Sequence, residues 1–376
     1  MSKLLELFNQ ARPLIELQVS FTTFRVTSGL WKYRSLIIIG MLIALLGIFL
    51  LSQHLVLTFD GEINLNILMS SLVYIGMSQV PLKVLCGMIK RKTFYKFLED
   101  IEESYRDQEE DEELNKILQK HLENSLKIWK FISIWMTRLF IMGCTLICLQ
   151  FRVTKSILLI MDWSFLPTDS IYWNEIPYFL EYIIILMTAL YYINADMTTI
   201  FIGLQIIADL DILNEYINLT NEKIKTDPHF FRTIVKRHCK VIDKMNLLNE
   251  AVFEISFIQI IISTLTLLLM FVFVRKETTQ ISGYTTCLCG MLQIFPLCVF
   301  GEMIKIKNEE ISDAFYEVNW YELSVKDQKA FLIILGMAQR QYGLKAAGMY
   351  VVDIYAFIKI IKVAFSYCAI LYTLSK

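Results

Sequence analysis

Residues 349–376, MYVVDIYAFIKIIKVAFSYCAILYTLSK, decide how the rest of the chain is read. As a helix this stretch can cross a bilayer, which takes roughly 20 mostly apolar residues. Yet it carries Lys359 and Lys362 near its middle. At helical pitch, Tyr355, Lys359, Lys362, Ser366, Ile370 and Thr373 fall in one narrow stripe. Val352, Ile354, Phe357, Ile361, Cys368 and Leu371 take the opposite side. Ammonium groups at membrane depth face protein or a water-filled cavity. The stripe therefore reads either as the lining of an aqueous route or as two lysines paired with carboxylates inside a bundle.

The remainder agrees with a membrane setting. Of 376 residues, 55% are apolar and only 19% charged, against about 25% charged in a typical soluble chain. The apolar residues arrive in long blocks, which predicts an all-α bundle of seven transmembrane helices at 35–58, 65–89, 127–150, 178–206, 251–274, 282–304 and 347–374. Of the 36 lysines and arginines, 27 fall in the tail 1–34 and the connections 90–130, 207–250 and 305–346, and five fall in the opposite connections and C-terminus. Positive charge stays on the cytoplasmic side. The N-terminus is thus expected in the cytoplasm and the C-terminus outside, the reverse of a G-protein-coupled receptor.

This divides the chain into a cytoplasmic segment 1–34, helices one to six over 35–304, a cytoplasmic helical segment 305–346 and the final helix 347–376. The first 34 residues lack the pattern of a cleavable signal peptide, so the first span is expected to direct insertion. Apolar residues at 3–4 spacing over 206–219 and 235–251 predict that spans four and five continue as helices beyond the membrane. With a short helix at 331–337, they would form a cytoplasmic layer between subunits. The aromatic segment 151–177 is a candidate lid, and the acidic run 102–113 a candidate cation-attracting vestibule or simply a solvated face.

Enzymatic signals are scarce. There is no Gly-rich phosphate loop, no H-E-x-x-H, no G-x-S-x-G and no metal-ligand spacing among the eight cysteines and four histidines. No catalytic residue, metal, cofactor or nucleic-acid partner is expected. Lys83 can snorkel and Arg138 needs a partner, with Glu181 and Glu302 as candidates, but structural pairing is the favoured reading for all of these charges. In the outer halves of the spans, Val73, Tyr74, Met77, Met142, Leu146, Tyr178, Tyr182 and Tyr284 are bulky, soft and sparingly polar. Such residues suit a small, mostly apolar ligand held by burial and one or two hydroxyl contacts, though membrane bundles also use them for plain packing.

The last sixty or so residues resemble the insect odorant receptors. The segment 313–323, with Trp320-Tyr321-Glu322-Leu323, is similar to their "Y…WY.L" stretch, and 329–340 to the helix after it. Residues 360–371, with Lys362, Ser366, Tyr367 and Leu371, resemble their "K..YSY..L" signature, Phe365 standing for the usual tyrosine. The resemblance implies a subunit of an odorant-gated, non-selective cation channel in the plasma membrane of a sensory neuron dendrite. It implies a heterotetramer with a shared co-receptor, a small volatile odorant in the outer half, and lipid around the bundle. By position it places Ile370 and Leu374 at a hydrophobic constriction with Thr373 between them; Ser366 joins this pore and gate stripe, and Lys359 and Lys362 either face the conduit or pair with neighbouring carboxylates. The short 207–250 segment lacks the co-receptor's long insertion, which marks a tuning subunit. A gustatory receptor is the near alternative, but its C-terminal T-Y…Q-F pattern is not matched. A G-protein-coupled receptor would carry D-R-Y or N-P-x-x-Y, and a transporter paired Gly/Pro-interrupted spans; neither is found.

Overall fold

The computed structural model describes residues 3–25, 33–59, 65–154, 171–227, 229–276, 281–340, 342–346 and 350–374. Of the candidate lid at 151–177, residues 155–170 lie outside them, and 151–154 and 171–177 are helical. Eleven α-helices and one two-stranded hairpin account for nearly all described residues. Seven helices correspond to the expected spans: α2 (Arg34–Thr58), α3 (Leu65–Ile89), α5 (Glu112–Thr154), α6 (Ile171–Asn218), α8 (Phe230–Lys276), α9 (Ile281–Tyr316) and α11 (Ile354–Leu374). The other four are α1 (Lys3–Thr23), α4 (Arg91–Arg106), α7 (Thr220–Thr226) and α10 (Val325–Ala338).

Helix length dictates the architecture. At 48 and 47 residues, α6 and α8 would each run about 70 Å at 1.5 Å per residue, more than twice the hydrocarbon thickness. Their surplus turns project from the end where the basic connections lie, as the 3–4 spacing predicted. There they pack with α1, α4, α7 and α10 around Phe94, Phe97, Trp129, Tyr216, Phe231 and Phe315, all within the largest buried cluster. The transmembrane part holds smaller clusters, such as Leu51, Leu68, Met69, Met77 and Ile184. Most of the main cluster lies outside the expected spans, where water drives burial, and it continues into them through Phe201, Leu267, Ile294 and Cys298.

Local chemistry starts and stops these elements. α4 buries Phe94, Phe97, Ile101 and Tyr105 along one face and leaves charge on the other. The Asp111 carboxylate accepts from the Glu113 amide at 2.9 Å at the start of α5. Ser324 accepts from the Asp327 amide at 3.3 Å and opens α10. The final helix departs from expectation. Its strands β1 (Lys345–Ala346) and β2 (Tyr350–Val351) pair antiparallel, and α11 begins only at Ile354 rather than near 347. Asp353 caps it, accepting from the Ala356 amide at 2.7 Å. A Cβ at Gly301 would overlap the Val352 carbonyl, so the absent side chain lets this hairpin lie against α9.

The acidic run is spoken for within the chain. Glu102 pairs with Arg12 and Arg106, Glu103 and Asp107 with Lys240, and Glu109 with Arg237. Asp111 and Glu113 pair with Lys223. Hydrogen bonding to Lys223 holds the Asp111 carboxyl below its ordinary pKa. The run thus clamps α4, α5, α7 and α8 together.

Residues Lys3–Thr23 of the N-terminal segment form a packed helix. α1 packs against α3, α4, α5 and α6. Its last turns bury Gln18, Ser20, Thr22 and Thr23. Gln18 donates to Ser133 Oγ at 2.7 Å, and the Thr22 and Thr198 hydroxyls meet at 3.1 Å. Gly87 on α3 leaves room for the Thr22 carbonyl.

Candidate functional site

Between α3, α5, α6, α8 and α9, remote from the basic end, lies an apolar cavity of about 280 Å³. Val73 and Met77 wall it from α3, Phe140, Gly143 and Cys144 from α5, and Ile185, Thr188 and Tyr192 from α6. Thr266 and Met270 come from α8, and Gly290 and Gln293 from α9. Small residues at 76, 143 and 290 open space where helices would otherwise interlock, and methionines give the wall a deformable lining. The volume suits a ligand of roughly a dozen heavy atoms, at the lower end of ordinary small-molecule sites.

Two of the sequence-selected residues, Val73 and Met77, line this cavity. Tyr74 instead packs beside the cluster around Leu51 and Ile184. Met142 and Leu146 are each 54% exposed, on the side of α5 turned away from the cavity lined by Phe140, Gly143 and Ile147. Tyr182 is half-buried, its hydroxyl 3.3 Å from Thr145 Oγ1, and Tyr178 is half-buried four residues earlier. The side chain of Tyr284 lies outside the described residues. The wall residues missed by sequence reading, among them Phe140, Ile185 and Met270, read as ordinary core positions until helix rotation is known.

The floor of the cavity is polar. Tyr192 OH accepts from Gln259 Nε2 at 2.9 Å, and Gln259 Oε1 accepts from Gln79 Nε2 at 3.2 Å. Below lies Lys83, 1% exposed, with its Nζ 2.6 Å from Asp196 Oδ1 and 4.1 Å over the Tyr192 ring. Lys83 is therefore a buried ion-pair partner, the structural pairing favoured from the sequence, and does not need to snorkel because Asp196 on α6 gives it a counter-charge. Asp196 also borders a chamber of about 40 Å³, shared with Ser256, Gln259 and Gln293. Arg138 is exposed on α5 and forms no ion pair with Glu181 or Glu302 among the described residues. Glu302 instead faces Lys305 at 3.8 Å and accepts from the Ile354 amide at 3.3 Å.

α11 rests against α8 and α9. It buries Ala356 and Ala364 and half-buries Phe357 and Ile360. Tyr355, Lys359, Lys362, Ser366 and Ile370 are exposed together on its outer side. Ile354, expected on the packed side, is 38% exposed, because the packed face is set by the 356, 360, 364 repeat. The side chains of Thr373 and Leu374 lie outside the described residues. Also among the described residues, no group of histidine, cysteine or acidic side chains is placed to hold a metal.

Comparison with known proteins follows the same lines. Odorant receptor 33b of Drosophila melanogaster is 26% identical over 77 residues, 20% of each chain. Odorant receptor 2a of the same fly is 37% identical over 60 residues, 16% of this chain and 15% of the relative. Odorant receptor 22b is 21% identical over 155 residues, 40% and 39% of the two. The matches thus span well under half of these relatives' lengths. The fold is that of the insect olfactory receptor OR5 from Machilis hrabei, solved in complex with eugenol. The TM-score is 0.78 at 16% identity, over 99% of this chain and 100% of that one. A second structure of that receptor superposes with a TM-score of 0.72. The profile of the 7tm odorant receptor family matches residues 64–365, so this chain is a member of the 7tm odorant receptor family.

Proposed function

We propose that the chain is the odorant-specific subunit of a ligand-gated, non-selective cation channel, opened by a small, mostly apolar volatile and assembled with a co-receptor as a heterotetramer. One observation carries the reading: the helices that wall the cavity also carry α11. On α8, Met270 borders the cavity while the next residue, Phe271, packs at a tilt against Phe365 of α11 with ring centroids 4.2 Å apart. On α9, Gln293 borders the cavity while Phe295 meets Phe357 edge-on at 5.4 Å. A ligand that spreads α8 and α9 must shift α11.

The exposed stripe of Tyr355, Lys359, Lys362, Ser366 and Ile370 then needs a polar surrounding, which a central conduit between subunits supplies. Ile370, Thr373 and Leu374 would form a hydrophobic constriction that gates by dewetting. The long ends of α6 and α8 with α10 would hold subunits together on the cytoplasmic side. The setting is the plasma membrane of a sensory dendrite, and the solved relative's eugenol complex fits a ligand of this size.

The test is electrical. The chain is expressed in cells with and without an insect co-receptor, with G-protein signalling blocked, and exposed to a broad odorant panel. Odorant-evoked cation current that requires the co-receptor is the expected result. Silence on confirmed surface expression, or a response abolished by the G-protein block, would overturn the reading.

A further inference from the structure

Resting on that reading, we infer that Gln293 is a specificity-determining residue of the cavity and that the preferred ligands carry one hydrogen-bonding oxygen, as ketones, esters, alcohols and phenols do. The wall has four polar side chains: Thr188, Tyr192, Thr266 and Gln293. Three are already engaged. The Thr188 hydroxyl donates to the Ile184 carbonyl and the Thr266 hydroxyl to the Ile262 carbonyl, each at 2.8 Å. Tyr192 OH accepts from Gln259 and sits in the buried Lys83–Asp196 network.

Gln293 differs. Its side-chain amide has no hydrogen-bond partner among the described residues, although it borders both the main cavity and the chamber beneath. The amide is half-buried, and an apolar ligand that displaced water from it would carry a desolvation cost. A ligand oxygen avoids that cost by accepting from the amide nitrogen, and a hydroxyl can also donate to the amide oxygen. Its backbone is held in place: the Gln293 carbonyl accepts from Gln259 Nε2 at 2.6 Å. Three residues on, Pro296 removes one amide from the α9 ladder. The side chain therefore projects from a fixed root, and the thioethers of Met77 and Met270 can adapt to the ligand's hydrocarbon part.

A hydrocarbon filling the same space would leave the amide unpaired. Discrimination by a hydrogen bond of this kind, in a cavity that can also admit water, amounts to about tenfold. Gln293→Met keeps side-chain length and removes both hydrogen-bonding groups.

The experiment compares matched probes, 2-octanone, 1-octanol and n-octane with their six-carbon counterparts. Two readouts are taken: half-maximal concentration for current in co-receptor-expressing cells, and thermal stabilisation of the purified chain in nanodiscs. Wild type should respond to ketone and alcohol at about tenfold lower concentration than to the alkane. Gln293→Met should abolish that preference while leaving alkane stabilisation within about twofold of wild type; Gln293→Asn, a retracted amide, should keep part of it. Equal loss for all probes in Gln293→Met would make Gln293 a packing residue and overturn the inference, as would an unchanged preference or no stabilisation by any probe. Stabilisation with the expected preference but no current would sustain the inference and overturn the channel reading alone.

Discussion

Replacing Lys83 by methionine tests the most consequential buried contact in the bundle. Lys83 is 1% exposed and its ammonium lies 2.6 Å from Asp196 and over the Tyr192 ring. Methionine keeps the volume of the stem and removes the charge, leaving the Asp196 carboxylate without its cation. Breaking a buried ion pair from one side costs about 3–5 kcal/mol. Asp196 retains a side chain about one quarter exposed, bordering the lower chamber, where water or a proton can offset part of the loss. The lower end, about 3 kcal/mol, is therefore expected.

The double change Lys83→Met with Asp196→Leu removes both charges and should recover most of that loss, because well-packed apolar replacements of buried pairs are near neutral. The assay is a double-mutant cycle on reversible unfolding of the purified chain in mixed micelles. A coupling energy of about 2 kcal/mol or more is expected from a pair this close and buried. Additive losses, or a Lys83→Met cost below about 1 kcal/mol, would refute the assignment of this pair as an interacting buried couple.

Val73→Phe should fill the cavity and raise half-maximal ligand concentration at least about tenfold at normal surface levels; an unchanged dose–response would remove Val73 from the wall. Gly301→Ala places a methyl group against the Val352 carbonyl and should weaken ligand-evoked current by displacing the start of α11, read by recording against surface-labelled protein. Burial lowers the His238 pKa from 6.5 to about 4, and its Nδ1 has no hydrogen-bond partner among the described residues. The folded state therefore favours the neutral ring, so stability is full above pH 6.5 and falls by about 3 kcal/mol as pH drops toward 4. His238→Phe should flatten that part of the pH–stability profile, and an unchanged slope would locate the dependence elsewhere. Ile370→Cys should make current sensitive to thiol reagents applied from outside; insensitivity at 370 and at 373 would take α11 out of the conduit.

Much of the architecture is written in one dimension. Apolar blocks such as residues 35–58 have no low-energy state but a membrane helix, because every backbone polar group must be paired inside lipid. The 3–4 spacing over 206–219 and 235–251 marked the projecting ends of α6 and α8 because amphipathic faces repeat at helix period. The exposed stripe from Tyr355 to Ile370 was legible for the same reason. Three-dimensional packing alone decided the rest. The α1 tail ends in the polar Gln18, Thr22 and Thr23, which are buried because the Gln18 amide nitrogen bonds Ser133 and the threonine hydroxyls bond Thr198 and backbone carbonyls. Lys83 met Asp196, 113 positions away, and the cavity wall took Val73 but not Tyr74, because helix rotation decides which neighbour faces inward. A helix pattern specifies which residues share a face; only the offsets and rotations of packed helices specify what that face meets.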